Sequence, residues 1–171
     1  MPALVPHAQI PPGPVRAVAG RVEYREDGTL AVSFAIEADL QRLRIPEPRA
    51  PRIAARLWEH TCCEIFVAPR GGAAYHEFNL SPSGEWAAHA FERYREGTML
   101  ADESLDPRIA VRRRPGILEL DAVIKVKAGA VSIGLAAVIE AADGGLSYWA
   151  LRHPPGKPDF HHRDAFALEV G

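Results

Sequence analysis

Apolar and polar residues alternate along much of this chain. Across 29–37, Leu30, Val32, Phe34 and Ile36 fall on one side and Thr29, Ala31, Ser33 and Glu37 on the other. Across 117–126, Leu118, Leu120, Ala122, Ile124 and Val126 oppose Glu119, Asp121 and Lys125. A period of two marks a half-buried strand. Shorter or less regular stretches predict further strands over 15–24, 61–68, 74–80, 85–94, 108–114, 130–140, 146–153 and 164–170. Turn chemistry separates them: Glu26-Asp27-Gly28, Ser81-Pro82-Ser83-Gly84 and Asp143-Gly144-Gly145. The segment 42–56 carries Pro46, Pro48 and Pro51 and reads as a loop lying over a sheet edge, and 96–106 reads as a second long loop. Nine or ten short strands without a long helix predict an all-β fold, an antiparallel β-sandwich of immunoglobulin or jelly-roll type. One such domain spans 15–171. It follows an extended arm, 1–14, rich in proline (Pro2, Pro6, Pro11, Pro12, Pro14).

Composition narrows the partners. With 171 residues and 47% hydrophobic content, the chain can bury a core without disulfides or metal. Its 20 basic residues balance 22 acidic ones, against the clustered basic excess of a nucleic-acid surface. The one basic run, Arg112-Arg113-Arg114, stops at Pro115-Gly116 and reads as a solvated strand end. No apolar run approaches the roughly 18 residues of a membrane span. The N-terminus has neither a basic n-region nor an apolar h-region, so the cytoplasm is the expected compartment. Cys62 and Cys63 are neighbours, with Cα atoms about 3.8 Å apart and side chains on opposite faces of a strand. They are expected to be reduced thiols, and they leave no pair for a thiolate zinc site.

The unusual feature is a set of polar groups within the strand-forming segments 57–66 and 75–86. Cys62, Glu64 and Phe66 share one face of their strand, Tyr75, Glu77 and Asn79 one face of the next, and Tyr148 and Arg152 one face of a third. If these strands are neighbours, Glu64, Glu77, Asn79, Tyr148 and Arg152 converge, with Trp58, Trp86 and Trp149 as walls. Carboxylates, an amide and a guanidinium suit vicinal hydroxyls, and flat rings suit the C–H faces of a sugar. The structural alternative is a Glu64–Arg152 salt bridge, loops tied by Glu77 and Asn79, and tryptophans that fill the core. A third possibility, that two carboxylates act on a glycosidic bond, requires a separation that the sequence does not fix. No catalytic residue and no metal ligand is assigned. His153, His161 and His162, with Asp159 and Asp164, stand in a proline-rich loop whose spacing matches no metal motif. A Cys62 or Cys63 thiol paired with His60 would need side chains that diverge along the strand.

The runs Leu57-Trp58-Glu59-His60-Thr61-Cys62-Cys63-Glu64-Ile65-Phe66, Tyr75-His76-Glu77-Phe78-Asn79-Leu80-Ser81-Pro82-Ser83-Gly84-Glu85-Trp86-Ala87, Phe91-Glu92-Arg93-Tyr94-Arg95, Leu146-Ser147-Tyr148-Trp149-Ala150-Leu151-Arg152-His153-Pro154 and Pro158-Asp159-Phe160-His161-His162 resemble the DOMON-like proteins of bacteria. That superfamily also holds family 9 carbohydrate-binding modules and haem-binding domains. The resemblance covers the chain from about residue 16 onward. It implies a β-sandwich that binds a sugar or a haem on one sheet face, and gives Trp58, Glu64 and Glu77 a binding expectation. The expected function is therefore a non-catalytic domain for a saccharide or sugar-containing metabolite, using Trp58, Glu64, Glu77, Asn79, Tyr148, Trp149 and Arg152. No cofactor is otherwise expected. Haem would need an axial pair, for which Met99 with His89 or His153 is available.

Overall fold

Hairpins set the architecture. Asp27 accepts from the Thr29 amide at 2.9 Å and Gly28 takes φ 81°, so the chain reverses between β2 (Val15–Tyr24) and β3 (Thr29–Ala38). At Ser81–Gly84 the Gly84 amide closes on the Ser81 carbonyl at 3.0 Å, linking β5 (Tyr75–Leu80) to β6 (Trp86–Arg93). The remaining strands are β1 (Ala3–Pro6), β4 (Cys62–Pro69), β7 (Glu96–Met99), β8 (Ala110–Arg114), β9 (Ile117–Lys125), β10 (Val131–Glu140), β11 (Leu146–Ala150) and β12 (Leu168–Val170). The computed structural model describes residues 1–127 and 129–171.

All pairings between these strands are antiparallel. One sheet runs β7-β6-β5-β4-β10-β11, the other β2-β3-β9-β8, and β1 joins them. Leu4 of β1 lies opposite Val18 on β2, and Val5 lies opposite Ala150 on β11. The proline-rich arm thus contributes a strand that stitches the two sheets along one side. Between the sheets lies the main core. Leu30, Val32, Phe34 and Ile36 of β3 and Leu118, Leu120 and Ile124 of β9 meet Ile65 of β4, Phe78 and Leu80 of β5, and Ile133, Leu135 and Ile139 of β10. The predicted inward sides of β3 and β9 are those observed.

Several segments differ from the sequence reading: besides β1 within the arm, only Leu168–Val170 of the strand expected over 164–170 forms, after a 3-10 turn at Arg163–Ala165. Residues 96–99, expected in a loop, form β7. Its turn, Tyr94-Arg95, lacks glycine and asparagine, and Arg95 takes the left-handed φ of 56°. The strand expected over 146–153 stops at Ala150, and the Leu151 amide makes the last in-register bond to β10, at 3.2 Å from the Leu135 carbonyl. The chain then leaves the sheet and returns as β12 beside Val131–Ile133 of β10, so β11 and β12 occupy successive parts of one edge of that strand. Residues 151–167 make the excursion between them, across the outer face of the first sheet.

That excursion buries a second apolar layer: Phe66, Tyr75, Ala136, Val138 and Ala150 from the sheet under Phe160 and Phe166 from the loop. Gly134 permits the contact. A methyl group there would stand 3.0 Å from the Phe166 ring and 3.3 Å from the Ala165 carbonyl. Covered on both faces, β4 is buried from Cys62 to Ala68, with Glu64 the one charged residue in the run.

Candidate functional site

The cross-strand register places the polar residues. On the outer face Glu64 of β4 lies opposite Asn79 of β5, and Glu77 of β5 lies between Phe66 on β4 and His89 on β6. Tyr75 sits opposite Phe91 on β6, their rings stacked at 4.7 Å. A cleft of about 390 Å³ opens over this surface. Its floor holds Glu64, Glu77, His89, Phe91, Val138 and Tyr148. Trp58, Arg95, Pro158, Phe160 and His161 stand around it.

Both floor carboxylates are buried, Glu64 at 3% exposure and Glu77 at 5%. Burial without a strong partner disfavours a charge. It pushes Glu64 well above the usual carboxylate range, and the charge of Glu77 pushes it further. Burial also raises Glu77, to about 7, against the pull of Asn79 and Arg95. Among the described residues Glu64 makes no hydrogen bond or ion pair, and Glu77 has only Nε2 of His161, at 3.5 Å. Burial and the nearby Arg95 lower His161 to about 4, so the imidazole is neutral at pH 7 and gives Glu77 little charge compensation.

Tyr75 holds the far wall. Its hydroxyl accepts from the Arg95 amide at 3.0 Å and bonds Nδ1 of His161 at 2.9 Å. The one hydroxyl thus ties the Arg95 backbone to the His161 ring. The Arg95 guanidinium donates to Asp159 at 3.0 Å and to the Tyr94 hydroxyl at 3.2 Å, and that hydroxyl also bonds Asp159. The unusual Arg95 backbone, of a kind that costs about 1–3 kcal/mol, is therefore fixed by its own amide and its side chain together.

The expected site residues separate into two groups. Trp58, Glu64, Glu77 and Tyr148 line the cleft; Trp58, 43% exposed, meets the His89 ring edge-on at 6.2 Å. Asn79 lies on the same face beside Glu64, wholly buried beneath the cleft. Its amide is near enough to Glu77 to favour that group's charge, yet neither Oδ1 nor Nδ2 completes a hydrogen bond. Trp149 belongs to the opposite face. It is 3% exposed in the inter-sheet core, with Nε1 donating to Ser147 at 3.0 Å, and cannot touch a ligand in the cleft. Trp86 fills the same core. Arg152 lies past the end of β11, exposed and outside the cleft lining, because the chain has already left the sheet. The alternative Glu64–Arg152 bridge is not formed. His89, Phe91, Arg95, Phe160 and His161 were not expected in the site. His89 and Phe91 follow from the Ser81–Gly84 turn once it fixes which residues oppose Glu77 and Tyr75. Phe91 and Arg95 stand in the run 91–95 that carries part of the family resemblance, but nothing local in the sequence signals a place for Arg95 in the site.

The remaining candidates resolve differently. His161 faces inward, His153 bonds the Val5 carbonyl at 2.8 Å, and His162 caps the Asp164 amide at 3.1 Å. No group of three or more metal-ligating side chains gathers among the described residues. Burial holds both cysteine thiols far above their ordinary pKa, and His60 is engaged with Glu140 at 2.9 Å. Met99 and His89 are directly opposed on β7 and β6. Such a pair stands side by side on one face, whereas axial haem ligands approach from opposite sides of the ring.

No family model matches the sequence, and no curated protein matches it. Solved structures do. A presumed carbohydrate-binding protein from Bacteroides uniformis ATCC 8492 superposes with a TM-score of 0.57 at 16% identity, over 87% of this chain and 75% of that one. A family 9 carbohydrate-binding module from Caldicellulosiruptor kristjanssonii, in complex with glucose, gives 0.51 at 12% identity over 82% and 69%. The same module in complex with cellotriose gives 0.51 at 12% over 81% and 68%. The fold is that of these β-sandwiches.

Proposed function

We propose that this domain is a non-catalytic saccharide-binding module and that its site is the cleft on the outer face of β4, β5 and β6. The observation that carries the reading is a pair of buried, poorly partnered carboxyl groups on a cleft floor bordered by Trp58, Phe91, Tyr148 and Phe160. Carboxyl groups exchange hydrogen bonds with vicinal hydroxyls, and the rings take the C–H faces of a pyranose. The cleft volume lies at the lower end of the roughly 300–1,000 Å³ usual for small-ligand sites, enough for one or two sugar rings. The fold likeness to modules solved with glucose and cellotriose supports the reading.

Thermal unfolding against a panel of mono- and oligosaccharides tests it. A sugar present at 100 times its Kd stabilises the native state by about 2.7 kcal/mol, a readily measured rise in Tm. Trp58→Ala and Glu77→Ala should abolish that rise. A panel that leaves Tm unmoved overturns the reading.

A further inference from the structure

The cleft floor has more acid than a neutral sugar requires. Glu64 and Glu77 are diagonal neighbours on adjacent strands, since Glu64 opposes Asn79 and Glu77 is two residues away. Diagonal Cβ atoms lie about 7 Å apart, a gap that a single nitrogen hydrogen-bonded to both carboxylates fills. The only permanent cation lining the cleft among the described residues is Arg95, and its guanidinium is engaged by Asp159 and Tyr94. A second observation points the same way. Asn79, fully buried on the same face, stands opposite Glu64 and two residues along β5 from Glu77, and its Oδ1 accepts no hydrogen bond, a third acceptor beside the two carboxyl groups. We propose that the saccharide taken by this cleft carries a free ammonium group, and that this ammonium sits between Glu64 and Glu77. The inference rests on the saccharide reading and specifies its ligand as an amino sugar.

An ammonium supplies what the floor lacks. Its three N–H donors satisfy two carboxylates together, and its charge offsets the cost of ionising them in a desolvated site. Trp58 and Phe91 present rings to the same space, and such rings attract cations. A hydroxyl in the same place leaves the carboxyls in their protonated form.

The groups facing the seat are Glu64 from β4, Glu77 from β5, His89 from β6, Arg95 from the β6–β7 turn, Tyr148 from β11 and His161 from the 151–167 excursion, with Asp159 behind them on the Arg95 guanidinium. Burial pushes both glutamates up and both histidines down, and Asp159 is held below its ordinary value against burial by Tyr94 and Arg95. Near neutrality the dissociable proton at the seat is therefore on a glutamate. When the ammonium binds, the carboxyl O–H bond breaks, the carboxylate pairs with the ammonium, and the proton passes to solvent. No covalent bond forms to the ligand.

Isothermal titration calorimetry at about pH 6.5, within the range where Glu77 begins to titrate, tests this with glucosamine, glucose, N-acetylglucosamine and putrescine. Two buffers of different ionisation enthalpy report protons released. The expected result is glucosamine bound at least about tenfold more tightly than glucose or N-acetylglucosamine, with a buffer-dependent enthalpy. Glu64→Gln and Glu77→Gln should remove the preference and the proton release, with melting curves confirming the fold. Glucose binding as tightly as glucosamine without proton release overturns the ammonium seat and leaves the saccharide reading standing. Putrescine binding with proton release, with all three sugars silent, overturns the saccharide reading instead. Silence from all four overturns both.

Discussion

Glu77 and His161 face each other at 3.5 Å in the cleft, and both are neutral over part of the physiological range because burial moves them in opposite directions. The acid is raised to about 7 and the base lowered to about 4. They are partners by position and are not a strong salt bridge.

The opposite shifts give stability a definite pH dependence. Glu77 has a folded pKa above its unfolded value, so its contribution is fully present below about 4.5 and declines as pH rises through about 7. His161 has a folded pKa below its unfolded value, so the folded state gains as pH rises from about 4 to 6.5. The two oppose each other in mildly acidic solution, and above about pH 6.5 only the loss from Glu77 continues. Glu77→Gln should therefore gain on the parent protein in Tm between pH 5 and pH 8. A difference in Tm that is flat across that range contradicts the shift.

Trp58 and Trp149 should behave as opposites. Trp58→Ala removes an exposed ring, so saccharide affinity should fall while stability changes by about 0.5 kcal/mol or less. Trp149→Ala empties part of the inter-sheet core and should cost about 3–5 kcal/mol. Urea unfolding of both variants, with binding titration of Trp58→Ala, separates the two roles.

Tyr75→Phe keeps the ring stack on Phe91 but removes the hydroxyl shared by the Arg95 amide and His161. Two hydrogen bonds are lost and two groups are left wanting, which should cost about 1–3 kcal/mol. The same variant should weaken saccharide binding, because the wall that carries Arg95 and His161 loses its anchor. An unchanged urea midpoint together with unchanged affinity contradicts the anchoring role.

Arg152→Ala should leave saccharide affinity and thermal stability at the parent values, since the side chain is exposed and outside the cleft. A loss of binding on titration would place the ligand beyond the cleft described here.

How much of this was legible in the sequence follows from how local each signal is. Strands β3 and β9 announce themselves by strict alternation, because one of their faces meets the other sheet. The outer-face position of Glu64, Glu77 and Asn79 follows from the same period of two. Trp149 was misplaced although Tyr148 and Trp149 necessarily point to opposite faces; which of the two faces outward depends on the pairing with β10, and that pairing is a long-range fact. Arg152 was misplaced because the ladder of β11 with β10 ends at the Leu151 amide, and where that ladder ends depends on a strand distant in the sequence. Strand β7 and Arg95 were missed because their turn carries no glycine or asparagine, its backbone being held by Tyr75 from another strand. Composition and spacing register none of these distant contacts.

The division of one edge of β10 between β11 and β12 has a further consequence. Residues 151–167 leave and rejoin the same strand, so their ends are anchored whatever lies between them. They cover the cleft without carrying the chain from one sheet to the other. One wall of the cleft in a scaffold so arranged can be rebuilt by exchanging that single segment, with the two-sheet core and the carboxylates of the floor left unaltered.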